Sequence, residues 1–190
     1  MIYFPSRDLL FIHVPRTAGS SLLNALINAG EKITLIAPPH TPWCFLQPDV
    51  QERLFTAYKV AFVRNSWERV LSWFSLLCDI NQLEMTKEGF DNWLRDNCPT
   101  NGAAHPDINK FSFSQLVHFP SVDKMDFIGQ FESLNEDVGG LEDILGIDLR
   151  LDRMNSSLVE DHRSFYDFSS IEMIRTACKK EIDFFNFSYI

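Results

Sequence analysis

Phe11-Ile-His-Val-Pro-Arg-Thr-Ala-Gly-Ser-Ser21 is an apolar run that breaks into small residues and then turns helical. Leu9 to Val14 is almost wholly apolar, the pattern of a strand buried on both faces of a parallel sheet. Pro15 has no N–H to donate and stops the ladder. Thr17, Ala18, Gly19, Ser20 and Ser21 carry little bulk, so their backbone N–H groups can approach an anion closely. Leu22, Leu23, Leu26 and Ile27 follow at helical spacing, which puts Ser20 or Ser21 in a first turn. Unpaired N–H groups and the positive end of the helix dipole favour a negative ligand there. Arg16 adds a rigid fork of donors suited to phosphate or sulfate oxygens. Taken alone, the stretch reads equally well as an ordinary strand, turn and helix. It is not the Gly-Lys-Ser/Thr loop of nucleotide triphosphatases, because the spacing and the lysine are both missing.

A second stretch, Ala61-Phe-Val-Arg-Asn-Ser-Trp-Glu-Arg-Val-Leu-Ser72, sharpens the reading. Lys59 to Val63 is another buried-strand run, and Arg64 follows where that strand emerges at the carboxyl edge of a sheet. Ligands of open α/β sheets collect at that edge. Ser66 is expected to cap the next helix, with Glu68 in its first turn and Val70, Leu71, Phe74 and Leu77 as its apolar stripe. Ser72 lies two turns into this helix, within reach of an anion held by Arg64. Separately, Arg64 reads as a surface ion-pair partner and Ser72 as a neutral helix residue. Together with the first stretch they suggest two grips on one doubly anionic ligand.

The two stretches resemble those of sulfotransferases that use 3′-phosphoadenosine-5′-phosphosulfate (PAPS), in the branch holding carbohydrate sulfotransferases and short bacterial relatives. In that family a Pro-Lys-Thr-Ala/Gly-Gly-Thr-Ser loop holds the 5′-phosphosulfate. A Phe-Val-Arg-Asn-Pro-Trp-Asp-Arg-Val-x-Ser segment holds the 3′-phosphate through its first Arg and its Ser. The resemblance implies that Pro15, Arg16, Thr17, Ala18, Gly19, Ser20 and Ser21 take the first role, and Arg64 and Ser72 the second. Phe127-Ile-Gly-Gln-Phe-Glu132 resembles a later strand-to-helix segment of the family, and Asn155, Ser156 and Ser157 its C-terminal cofactor loop. It extends over nearly the whole chain, and the two phosphate motifs are its specific part.

Two positions depart from the family pattern. Ser66 replaces a proline, and both residue types suit a helix start. Arg16 replaces a lysine; it keeps the charge and adds donors but cannot give up a proton. Stabilisation of a departing phosphate by charge therefore survives the exchange, and proton donation by this residue does not.

The implied fold is a P-loop-type three-layer α/β/α arrangement around a central parallel sheet, with residues 1–190 as one domain. Ile33 to Ala37 is expected as a second strand, Pro48 to Tyr58 and Lys87 to Asn97 as helices, and Ser112 to His118 as a short helix. Phe127 to Phe131 reads as a strand, Leu134 to Leu145 as a helix and Ser169 to Phe185 as one terminal helix. Residues from about 76 to 119 break the β–α rhythm and are expected to form an acceptor-binding insertion.

Composition narrows the partners. The chain is 45% hydrophobic with 17 Phe, which excludes disorder as its default state. No apolar segment reaches the roughly 20 residues needed to cross a bilayer, and the start lacks a secretory signal. A cytoplasmic, bacterial protein is the expectation. Cys44, Cys78, Cys98 and Cys178 form no metal-ligand spacing, so reduced thiols and no metal are expected. The formal charge of −9 speaks against nucleic acid and against a polyanionic acceptor, both of which need a basic face. A neutral sugar, a lipid-linked glycan or a small hydroxylated metabolite is the acceptor class this favours.

The implied reaction moves a sulfuryl group in line from PAPS to a hydroxyl and leaves 3′-phosphoadenosine 5′-phosphate (PAP). Arg16 and the loop amides are expected to stabilise the leaving oxygen, where one lost donor costs about 100- to 1,000-fold. The acceptor needs a general base. His40 follows the second strand and is the first candidate; His105 is the second, and Glu84 or Asp79 are open substitutes. His13 reads as a buried strand residue. A small-molecule kinase and a nucleotide-binding scaffold without turnover are the alternatives, the former weakened by the missing Gly-Lys-Ser/Thr loop and magnesium ligands.

Overall fold

The computed structural model describes residues 1–99, 112–151 and 162–189. Among these residues five strands form one sheet: β1 (Ile2–Phe4), β2 (Leu9–Ile12), β3 (Thr34–Leu35), β4 (Tyr58–Val63) and β5 (Phe127–Gln130), in the order β3-β1-β2-β4-β5. The helices are α1 (Gly19–Asn28), α2 (Pro48–Arg53), α3 (Ser66–Asn81), α4 (Lys87–Asn97), α5 (Leu134–Leu145), α6 (Phe168–Ala177) and α7 (Lys179–Phe185). The chain divides into two compact units: Met1–Arg64 with Leu116–Asn155, and Asn65–Gln115 with Ser156–Ile190.

The first unit holds the sheet. Its three central strands, β2, β4 and β5, run parallel, with Ile12 opposite Ala61 and Val63 opposite Gln130. Leu10, Ile12, Ala61 and Val63 are as fully buried as Leu9, Phe11, Val60 and Phe62. Burial on both faces explains why these runs do not alternate. One face packs against α1 and α5, where Leu22, Ala25, Leu26, Val138 and Leu141 meet Phe4, Phe11 and Phe62. Each such leucine contributes about 2 kcal/mol by leaving water. Asp126 fixes the start of β4 beside β5: its carboxylate accepts from the Lys59 N–H at 2.7 Å, and its own N–H donates to the Lys59 carbonyl at 3.0 Å. This is the mixed α/β, P-loop-type arrangement the sequence implied.

The sheet is nevertheless not parallel throughout. β1 pairs antiparallel with both β2 and β3, so half of the strand pairings are reversed. The first hairpin turns through Pro5–Arg7 and a left-handed Asp8, whose side chain accepts from the Tyr3 hydroxyl at 2.7 Å. Three residues of strand carry too little periodicity to be read beforehand. The expected strand Ile33–Ala37 shrinks to two exposed residues at the sheet edge. Two reversals restore direction, so β3 still ends at the same edge as β2.

The second unit is helical. Trp67, Val70, Leu71, Phe74, Phe90, Leu94, Ile174 and Ile182 form its core. Asn65, not Ser66, caps α3: its side-chain oxygen accepts from the Trp67 N–H, while Ser66 is fully buried and donates to Glu181 Oε1 at 2.8 Å. Glu181 also accepts from the Gln115 backbone N–H at 2.6 Å and its side-chain amide at 3.1 Å. A buried carboxylate must find such donors, and here three converge on it. Arg69, also fully buried, donates to the carbonyls of Ser112 and Phe113. Residues expected as one terminal helix form α6 and α7, separated by Cys178 with φ −108° and ψ 15°. The expected short helix at 112–118 is a single tight turn over Gln115–His118.

Candidate active site

β2 ends at Ile12, so His13 lies beyond the strand, at the mouth of the loop and not inside the ladder. From Pro15 to Ala18 the chain turns sharply and enters α1 at Gly19, with the first helical bond from the Leu22 N–H to the Ala18 carbonyl at 3.1 Å. Thr17 is buried and its hydroxyl donates to the Val14 carbonyl at 3.0 Å, which ties the loop back to its strand. No side chain caps α1. Its leading N–H groups are thus left for a ligand or solvent.

Backbone strain marks the same place. Among the described residues, six other than glycine have positive φ: Asp8, Arg16, Ala18, His40, Gln82 and Asn186. Asp8, Gln82 and Asn186 end helical turns, where a left-handed residue satisfies the last carbonyls. Arg16, Ala18 and His40 have no such role. Arg16 at φ 67° and Ala18 at φ 63° bracket Thr17, and alternation of this kind turns successive N–H groups into an anion-binding concavity. Each left-handed residue costs about 1–3 kcal/mol, and such strain persists where the surroundings impose it.

His40 reaches this loop through a turn. Pro38 and Pro39 lead into it, the Thr41 N–H donates to the Pro38 carbonyl at 3.3 Å, and His40 sits at φ 67°. Pro followed by a left-handed residue is the pattern of a type II turn, which normally takes Gly or Asn where His40 stands. His40 Nδ1 lies 3.0 Å from the His13 carbonyl oxygen. Because a carbonyl only accepts, Nδ1 carries the proton and Nε2 keeps its lone pair. The two imidazoles pack edge to face with centroids 4.4 Å apart.

Burial lowers the pKa of His40, partly offset by its bond to the His13 carbonyl; the Met1 ammonium and Arg16 push it down further. His13 is pushed down to about 3, first by burial and then by His40. Both rings are therefore neutral at neutral pH. His13 also presses on the loop: a Cβ at residue 19 would lie 2.2 Å from His13 Cδ2 and 2.4 Å from Nε2, so any side chain there would displace the ring. Sequence reasoning passed over this contact, since nothing in the spacing of His13 and Gly19 announces it.

One further expected group lies along the same edge. Arg64 follows β4 directly and is 6% exposed, with its guanidinium carbon 4.1 Å from the centroid of Phe131, which follows β5. A buried guanidinium on a ring face is held rigidly. Since β2, β4 and β5 are parallel neighbours, the loop, Arg64 and Phe131 all leave the sheet at its carboxyl edge. Ser72 is buried on α3 in the second unit. His105, Asn155, Ser156 and Ser157 lie outside the described residues. Glu84 and Asp79 belong to the second unit, near the end of α3. No group of three or more metal-ligating side chains occurs among the described residues, and no described helix is long and apolar enough to cross a membrane.

A strand, a strained small-residue loop, an uncapped helix start and Arg64 beyond the next strand stand at the carboxyl edge of an α/β sheet. The chain matches the sulfotransferase family over residues 1–185, and it belongs to that family. It is a transferase for sulfuryl groups in the general sense. No curated protein and no solved structure gives a significant match.

Proposed function

We propose that the protein transfers a sulfuryl group from PAPS to a hydroxyl of a carbohydrate or small-molecule acceptor, with His40 as general base. The observation that carries this reading is the bond of His40 to His13, which leads into the strained loop Pro15–Ser21, with Arg64 leaving the neighbouring strand at the same edge of the sheet. When bound, PAPS supplies an activated sulfuryl group on a phosphate leaving group. Pro15, Arg16, Thr17, Ala18, Gly19, Ser20 and Ser21 hold its 5′ end, through backbone N–H groups and the Arg16 guanidinium. The small-residue loop, the uncapped N–H groups and the cationic fork suit the oxygens of such a group.

Arg64 takes the 3′-phosphate, and by motif Ser72, Asn155, Ser156 and Ser157 join it. Arg16 stabilises charge on the leaving oxygen without giving up a proton. His40 accepts the acceptor hydroxyl's proton at Nε2, the nitrogen that its bond to His13 leaves unprotonated. Since its pKa is lowered, His40 remains a proton acceptor below pH 6.5, and the acid limb of kcat lies below that value. Residues 76–119 supply the acceptor side, His105 among them. The net charge of −9 favours a neutral acceptor.

Thermal melting with PAP, PAPS and ATP tests the donor. A rise in Tm with the two 3′-phosphorylated ligands, in the absence of magnesium, supports the reading; no response to any of them, or a response to ATP alone, refutes it. Mass spectrometry of acceptor mixtures then looks for added SO₃. His40→Ala lowers kcat about 100- to 10,000-fold if His40 is the base; unchanged turnover removes it from that role and returns His105 to first place.

A further inference from the structure

His13 is buried, 7% exposed, and does three things at once. Its carbonyl holds His40 Nδ1 at 3.0 Å, its ring packs on the His40 ring, and the same ring fills the space that Gly19 leaves open. Its Nδ1 is buried and has no hydrogen-bond partner among the described residues. The ring meets both neighbours by its shape. His40 meanwhile holds a left-handed backbone, which a residue with a Cβ keeps only with support from its neighbours.

We propose that His13 is a positioning residue: a wedge between the anion loop and His40 that sets the ring orientation and tautomer of the base according to the geometry of the loop. The proposal rests on the reading of His40 as base for its effect on turnover, but the wedge itself is a property of the free protein. Its mechanical logic follows from packing. Cores are as dense as crystals, so the ring cannot yield to one neighbour without leaving the other. A side chain at residue 19 would force the His13 ring to rotate, and His40 would lose its packing partner. Conversely, a loop drawn onto an anion keeps the ring pressed toward His40. Misplacement of a reacting group by about 1 Å costs on the order of 100-fold in rate.

Four variants of the full chain test this: His13→Ala, His13→Phe, Gly19→Ala and the double variant Gly19→Ala/His13→Ala. Nitrogen NMR of the imidazole rings reads the His40 tautomer without any substrate. The wild type shows His40 protonated at Nδ1. His13→Phe keeps that state because a ring of similar size preserves the wedge, whereas His13→Ala and Gly19→Ala give mixed tautomers. In turnover, His13→Ala lowers kcat about 10- to 100-fold with KM for PAPS within about threefold of wild type, and His13→Phe restores most of the loss. PAP titration separates the two faces of the wedge. Gly19→Ala weakens PAP binding, and the double variant regains it, since the colliding ring is gone, but not the kcat.

Wild-type tautomer and kcat in His13→Ala would overturn the proposal. So would a Gly19→Ala defect that the second substitution fails to relieve, because Gly19 would then act on the anion directly. If PAP binds no variant and not the wild type either, the donor reading fails; the tautomer measurements still decide the fate of the wedge. If His13→Ala does not fold, Gly19→Ala, whose helical backbone accepts alanine, carries the same comparison.

Discussion

His13 makes the stability of this protein sensitive to mild acid, by an amount the structure sets. Burial and the neighbouring His40 hold its pKa at about 3, against an ordinary value of 6.5. The folded protein thus keeps the ring neutral, while an unfolded chain takes up a proton below pH 6.5. Stability from this group is fully present above that value and is lost as pH falls toward 3. Between pH 7 and pH 5 the loss is about 2 kcal/mol, since each pH unit below 6.5 is worth about 1.4 kcal/mol. For a chain of this length, that corresponds to a fall in Tm of about 4–8 °C. His40 shifts in the same direction and adds to the fall. The assay is thermal melting of the wild type and of His13→Phe in matched buffers at pH 7, 6 and 5. The variant loses about 2 kcal/mol less than the wild type over this interval. Equal acid sensitivity in both proteins would refute the reasoning, since it would mean that His13 is solvated or protonated in the folded state.

Three other outcomes follow from named contacts. Gly129→Ala places a Cβ 2.3 Å from Phe62 Cε1 in the closed core between β4 and β5; a loss of about 1–3 kcal/mol is expected in urea titration, and Phe62→Leu in the same chain recovers part of it. Glu181→Ala strands the Ser66 hydroxyl and both Gln115 donors, with a cost of about 3 kcal/mol or more by the same titration. Arg64→Ala removes the guanidinium stacked on Phe131 and weakens PAP about 10- to 100-fold in calorimetry, and Arg64→Lys does not restore it, because a point charge cannot stack in the same way.

Much of the fold was legible because the long elements obey simple periods. The runs at β2 and β4 are almost wholly apolar, as strands buried on both faces must be, and α4 and α5 coincide with their expected bounds. The hairpin at β1 was not legible, since three residues and a turn leave no periodic trace. Cys178 breaks the terminal helix with neither Gly nor Pro to announce it. The cap of α3 fell to Asn65 because Ser66 is drawn into the bonds around Glu181, a demand from residues more than a hundred positions away. At the sheet edge, the positions of the small-residue loop and of Arg64 at the strand ends could be read from their motifs. The wedge of His13 between Gly19 and His40 could not, because it depends on a turn at Pro38–Thr41 returning to the loop and on a missing Cβ. Spacing encodes elements; it does not encode which ring will rest on which.

The bonds around Glu181 also bear on how the protein is made. Ser66 and Gln115 wait for an acceptor 115 and 66 positions further along the chain. While the ribosome is still synthesising residues beyond Gln115, the bonds of these groups to Glu181 cannot form. Closing loops of this size has an entropic cost that short hairpins avoid. The helical unit therefore closes only once α7 has emerged, and nascent chains stalled before α7 should be the form most readily captured by cellular quality control.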